Sequence, residues 1–129
     1  MKLIFKPGDE KEFRKTVTPD DCAIFNNQLL HPVYATFALA RDMEWTSRLF
    51  FLEMREADEE GVGTHLTIEH RSPAFVGEEV IFTARVERVE GMDLFCAIEA
   101  RTEQRLIATG RTGQKMLKKE KLKRLFTKP

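Results

Sequence analysis

Three side chains in the 129-residue sequence have types suited to attack on a carbonyl: the Thr36 hydroxyl, the Glu44 carboxylate and the His70 imidazole. Such chemistry needs an attacking oxygen, a group to take its proton, and donors for the charge that develops on the carbonyl oxygen. His70 is the natural proton carrier, because imidazole titrates near neutrality. Glu44 suits the part of orienting group, base or nucleophile, and Thr36 that of nucleophile or substrate holder. The residue types leave this choice open. Together they make a plausible centre for a small hydrolase.

Positioning these groups falls to one long, mostly apolar stretch from His31 to Met54, which reads as a helix. Ala40, Met43, Ser47, Phe50, Phe51 and Met54 recur at three- and four-residue spacing and mark a broad buried face, with Glu44 beside it. Two starts compete. Pro32 has the fixed φ of a first helical residue, whereas Thr36 as N-cap would leave unpaired N–H groups beside its own hydroxyl, a site for an oxygen carrying negative charge. Thr36 and Glu44, eight positions apart, fall about 80° apart around the helix and roughly 12 Å along it. They cannot bond directly, so a substrate or another element must lie between them. The helix is expected to stop near Glu56 to Glu60, before Gly61.

The remainder reads as strands. A first strand is expected over Glu12 to Thr18, ended by Pro19-Asp20-Asp21, with Cys22 to Leu30 irregular or forming a single turn. From Gly61 to Arg71, alternation puts Val62, Thr64, Leu66, Ile68 and His70 on one face and Gly63, His65, Thr67, Glu69 and Arg71 on the other. After a turn at Pro73 to Gly77, Val80, Phe82, Ala84 and Val86 form the inward row of the next strand. Glu90-Gly91 turns the chain again, Leu94, Cys96, Ile98 and Ala100 face inward, and a last strand runs from Leu106 towards Leu117. One strand, one long helix and four strands joined by short turns define an α+β pattern with an antiparallel sheet.

Composition narrows the class. A chain of this length fits a single domain over residues 1–129, and 42% hydrophobic with 33% charged residues is ordinary for a globular protein. Net charge is zero, but the tail at 115–129 holds seven basic residues and one acid, so the body is acidic. A charge run of this kind is usually a solvated end. No P-loop, dinucleotide fingerprint or basic-aromatic stripe points to nucleotide or nucleic acid. No run approaches a membrane span, and Met1 to Phe5 is too short for a signal peptide's apolar region, so no membrane association is expected. Cys22 and Cys96 lack metal-ligand spacing and suit a reduced, cytoplasmic protein. His65 and His70 fall on opposite strand faces and His31 is distant, so no metal is expected.

The runs Tyr34-Ala35-Thr36, Met43-Glu44-Trp45, Gly61-Val62-Gly63-Thr64 and Glu69-His70 resemble the hotdog-fold acyl-CoA thioesterases typified by fluoroacetyl-CoA thioesterase. The likeness covers roughly residues 12 to 117. It implies a hotdog fold, a curved antiparallel sheet of about five strands wrapped around one central helix. It also implies an acyl-CoA substrate of short or medium chain, a Thr36, Glu44 and His70 catalytic set, and no cofactor beyond the coenzyme A of the substrate. Gly63 corresponds to the family's glycine where acyl-CoA approaches the backbone, Gly77 to the glycine of the turn after the histidine, and Gln114 to a substrate-binding position that is arginine in the family example. The resemblance further implies a homodimer with a continuous sheet and sites at the interface. A non-catalytic acyl-CoA or lipid-binding module, or a hotdog hydratase or dehydratase, is the alternative.

Overall fold

The apolar stretch divides in two in a computed structural model, which describes residues 1–129 throughout. Only Thr36–Met54 is helical, and this helix, α1, buries Ala38, Leu39, Asp42, Met43, Thr46, Ser47, Phe50, Phe51 and Met54 along one broad side. The opposite side leaves Phe37, Arg41, Glu44 and Trp45 exposed. Preceding it, His31–Tyr34 belongs to a strand, which removes Pro32 as a helix start. Thr36 is not the N-cap either: Ala35 holds that position and no side chain caps the helix. The Thr36 hydroxyl is therefore free of capping duty. At the other end α1 stops at Met54, short of Glu56, where Arg55 becomes extended and its N–H closes the last turn on the Phe51 carbonyl.

Seven strands surround this helix. They are β1 (Glu10–Thr16), β2 (Cys22–Phe25), β3 (Gln28–Tyr34), β4 (Glu59–His70), β5 (Glu79–Glu90), β6 (Asp93–Arg101) and β7 (Leu106–Lys118), with a 3-10 turn at Pro19–Asp21 and a short closing helix, α2 (Lys119–Leu125). Five of them form an antiparallel sheet in the order β1-β5-β6-β7-β4, leaving β1 and β4 at the edges. The inward rows Val80, Phe82, Ala84 and Val86 of β5 and Leu94, Cys96, Ile98 and Ala100 of β6 meet α1 in one cluster of 22 buried residues. The basic tail is partly structured: β7 extends to Lys118, and α2 packs through Leu122.

The segment expected to be irregular is a second, two-stranded sheet of β2 and β3. Asn26 and Asn27 connect them with φ of 50° and 62°, the backbone of a tight two-residue hairpin turn, which asparagine tolerates better than most residues. This hairpin carries exposed Ile24, Phe25, Leu29 and Leu30, and Phe25 meets Phe37 of α1 edge-on at 5.4 Å between ring centres.

One irregularity bears directly on the site. Pairing of β4 with β7 shifts between Gly63 and His65, so Thr64 is an extra residue in an otherwise continuous ladder. Such a bulge inverts the in-and-out alternation beyond it. Gly61 and Gly63, before it, face α1, and Leu66, Ile68 and His70, after it, do so too. The expected assignment of Gly63 and His70 to opposite faces is thus corrected.

Candidate active site

The first part of the site lies where α1 begins. A hydrogen bond of 2.9 Å joins the Thr36 hydroxyl to His70 Nδ1, and the hydroxyl donates when Nδ1 carries no proton. His70 Nε2 is buried without a partner. Burial lowers the imidazole below its ordinary value of 6.5, against a smaller opposing effect of the Ser72 backbone, and so favours the neutral ring. The two residues before Thr36 are fixed by three hydrogen bonds. Tyr34 donates its N–H to the Ala74 carbonyl, Ala35 donates to Asp21, and the buried Tyr34 hydroxyl donates to Asp42.

The second part lies two turns along α1. Glu44, Arg41, Trp45 and Arg48 of the helix face Gly63 of β4 and Thr112, Gly113 and Gln114 of β7 across a cavity of ≈ 290 Å³. A Cβ added at Gly63 would stand 3.3 Å from Glu44 Oε2, so the missing side chain is what gives this carboxylate its room. Gln114 is buried and donates through Nε2 to Ser47 Oγ at 3.1 Å, and Ser47 in turn donates to the Glu44 carbonyl at 3.0 Å. A larger hollow of ≈ 550 Å³ on the outer sheet face, among Thr67, Arg71, Arg85 and Arg111, contains none of the six candidate site residues Thr36, Glu44, His70, Gly63, Gly77 and Gln114.

Thr36 and His70 are therefore brought together, and Glu44, Gly63 and Gln114 are brought together, but the two groups stay separate within one chain. Gly77 joins neither: it turns the chain between β4 and β5 with φ +90°, a conformation that favours glycine, and donates its N–H to the Val17 carbonyl. Burial pushes the Cys96 thiol up to about 12, with Glu87 adding to the rise and Thr112 opposing it, so this thiol is unsuited to nucleophilic work near neutrality. No group of three His, Cys, Asp or Glu side chains is placed to hold a metal ion.

Arg41, Arg48 and Thr112 at the cavity, and the apolar hairpin, were not among the residues the sequence pointed to. Spacing of three and four residues around Glu44 could have found the helical members. Asn26-Asn27 between short apolar runs was the available hairpin signal.

A five-stranded antiparallel sheet around one long helix, with a hydroxyl and imidazole joined at the helix start, defines a hotdog-fold thioester hydrolase of the thioesterase superfamily. The solved structure of the Thermus thermophilus hypothetical protein TTHA0967, a thioesterase superfamily member, superposes with a TM-score of 0.90 at 36% identity over 94% of this chain and 90% of that one. The fluoroacetyl-CoA thioesterase FlK shares the fold at 22% identity, with a TM-score of 0.87 over 96% of this chain and 98% of that chain. A hot-dog-like protein from Thermanaerovibrio acidaminovorans does likewise, at 22% identity and TM-score 0.87 over 97% of this chain and 96% of that chain. Residues 17–120 match the family described as FlK, fluoroacetyl-CoA-specific thioesterase, and the chain belongs to that family. Among curated proteins, nothing matches the chain.

Proposed function

We propose that the chain hydrolyses a short or medium acyl-CoA thioester with Thr36, Glu44 and His70 as its working groups. The hydrogen bond of 2.9 Å between Thr36 and His70 carries this reading, because it ties a hydroxyl to a neutral, partly buried base. Water adds across the thioester: its oxygen bonds to the carbonyl carbon, the C–S bond breaks, and the sulfur leaves with a proton as free coenzyme A. In one route Thr36 attacks first and water releases the acyl group afterwards. In the other, Glu44 as base or nucleophile does the work and Thr36 holds the carbonyl. FlK has been solved with acetyl-CoA and with fluoroacetate and CoA, which supports coenzyme A as the leaving group here.

The free edge of β4 and the exposed side of α1 with Phe37 and Trp45 favour a homodimer, since an unpaired edge beside apolar surface invites a second copy. In such a dimer the Thr36–His70 pair and the Glu44 cavity would each face a neighbouring subunit. The buried free thiols of Cys22 and Cys96 support a reducing, cytoplasmic setting. Thiol release measured over a panel of acyl-CoA esters tests the reading. Turnover that disappears in Glu44→Gln and His70→Asn is expected; turnover unchanged in both variants would sink it.

A further inference from the structure

On a helix, a glutamate four residues before an arginine has the favoured orientation for an ion pair, and an arginine three residues before a glutamate is also within reach. Glu44 has both neighbours, Arg48 ahead and Arg41 behind. Neither pair forms. Arg48 donates through Nη2 to Glu60 Oε1 at 2.7 Å. Arg41 donates through Nη2 to Asp21 at 2.8 Å and through Nε and Nη2 to Asp42 at 3.1 and 2.9 Å. The Glu44 carboxylate makes neither ion pair nor hydrogen bond, although it shares its cavity with both guanidinium groups.

The competing acids are well fixed. Asp21 and Asp42 are buried, and each has further partners: Asp21 accepts from Thr18 and Lys15, and Asp42 from Tyr34. Glu60 accepts from its neighbour's Gly61 N–H at 2.9 Å and from Arg55 at 2.6 Å. Glu60 also stands three residues before Gly63 on β4. The same strand thus opens room for the Glu44 carboxylate and draws a cation away from it.

We propose that Asp21, Asp42 and Glu60 are positioning residues that hold Arg41 and Arg48 off Glu44, leaving its carboxylate unneutralised and available to the thioester. A carboxylate shared with a guanidinium is a weaker base and a weaker nucleophile, so the diversion preserves reactivity. This inference rests on the reading of Glu44 as a working group.

Glu60→Gln tests it, because the amide no longer carries the charge that retains Arg48. The expected result is a fall in kcat of roughly two- to fivefold with KM within about twofold, the size expected when a solvent-exposed carboxylate gains one cationic neighbour. A crystal structure of this variant should bring an Arg48 nitrogen within about 4 Å of a Glu44 oxygen. Removing the released cation as well, in Glu60→Gln with Arg48→Met, should restore most of the lost kcat, which a purely structural role for Glu60 would not. Arg55→Ala, which removes the other partner of Glu60, should leave kcat near wild type. Glu60→Asp keeps the charge but retracts it by one methylene, and should show the same direction at smaller amplitude if Glu60→Gln folds poorly. Wild-type kcat in both Glu60 variants, or a loss that Arg48→Met does not reverse, overturns the proposal. Full activity in Glu44→Gln would instead remove the reading beneath it, whatever the Glu60 variants do.

Discussion

The Thr36 hydroxyl and His70 Nδ1 are 2.9 Å apart although 34 residues separate them in sequence, and Nε2 on the far side of the ring is buried without a partner. One nitrogen is thus engaged by the protein's own hydroxyl while the other is unpartnered. Thr36→Val and His70→Asn should each lower kcat by about a hundredfold or more, the usual share of a general acid–base group. Thr36→Ser, which keeps the hydroxyl, should retain far more activity than Thr36→Val. Equal losses in the serine and valine variants would show that the hydroxyl is not what matters.

Burial of His70 has a consequence for stability. Its folded value lies below the ordinary 6.5, so the unfolded chain binds the proton more readily. The stability this contributes is complete above the unfolded value and is lost as pH falls through the lowered folded value. Thermal midpoints measured from pH 7.5 down to 5 should decline, and His70→Asn should flatten that part of the curve. An identical slope in the variant would remove His70 as its source.

Asp21 sets a second, more acidic window. Burial alone would raise its carboxyl, but hydrogen bonds from Arg41, Thr18 and Lys15 outweigh it and hold the group down to about 2 from its ordinary 3.8. Its stabilising contribution is therefore present above pH 3.8 and disappears as pH falls towards 2. Asp21→Asn should be destabilised at neutral pH and should lose less on acidification than wild type. Denaturant titrations at pH 6 and pH 3 make the comparison.

Two glycines on β4 should separate stability from rate. A Cβ at Gly61 would overlap the Phe51 ring in the core, and forcing it in should cost about 1–3 kcal/mol by overpacking. A Cβ at Gly63 would only crowd the Glu44 carboxylate at 3.3 Å, the movable end of an exposed side chain. Gly61→Ala should therefore lower the thermal midpoint, whereas Gly63→Ala should keep it and lose activity. The reverse pattern would detach Gly63 from Glu44.

Much of this architecture is legible in the amino acids because its signals are local and periodic. Met43, Phe50, Phe51 and Met54 repeat with helical spacing, and β5 and β6 alternate cleanly, so their buried faces follow directly. The boundary before Thr36 was less legible. His31–Tyr34 has helix-compatible residues, yet β2 supplies backbone partners such as Ala23 for His31, and tertiary pairing outweighs local preference. The contact of Thr36 with His70 follows from where the strand carrying His70 docks, which no local spacing encodes. The freedom of Glu44 was hidden for a related reason: its neighbours Arg41 and Arg48 answer to Asp21 and Glu60, acids that only the fold brings near.

The extra residue Thr64 in β4 gives the site a phase. Seven positions, an odd number, separate Gly63 from His70, and in an unbroken strand an odd interval points two residues to opposite faces. Here both look towards α1 because the interval contains one uncounted step. Drawing Thr64 into a regular ladder at unchanged length would swing the imidazole to the outer surface away from Thr36, whereas removing Thr64 would leave an interval of six, an even number, and keep both residues facing α1. Within this strand, the unpaired step is therefore as much a determinant of the Thr36–His70 contact as residue identity, and a relative of equal length with an unbroken ladder would keep the fold while losing that contact.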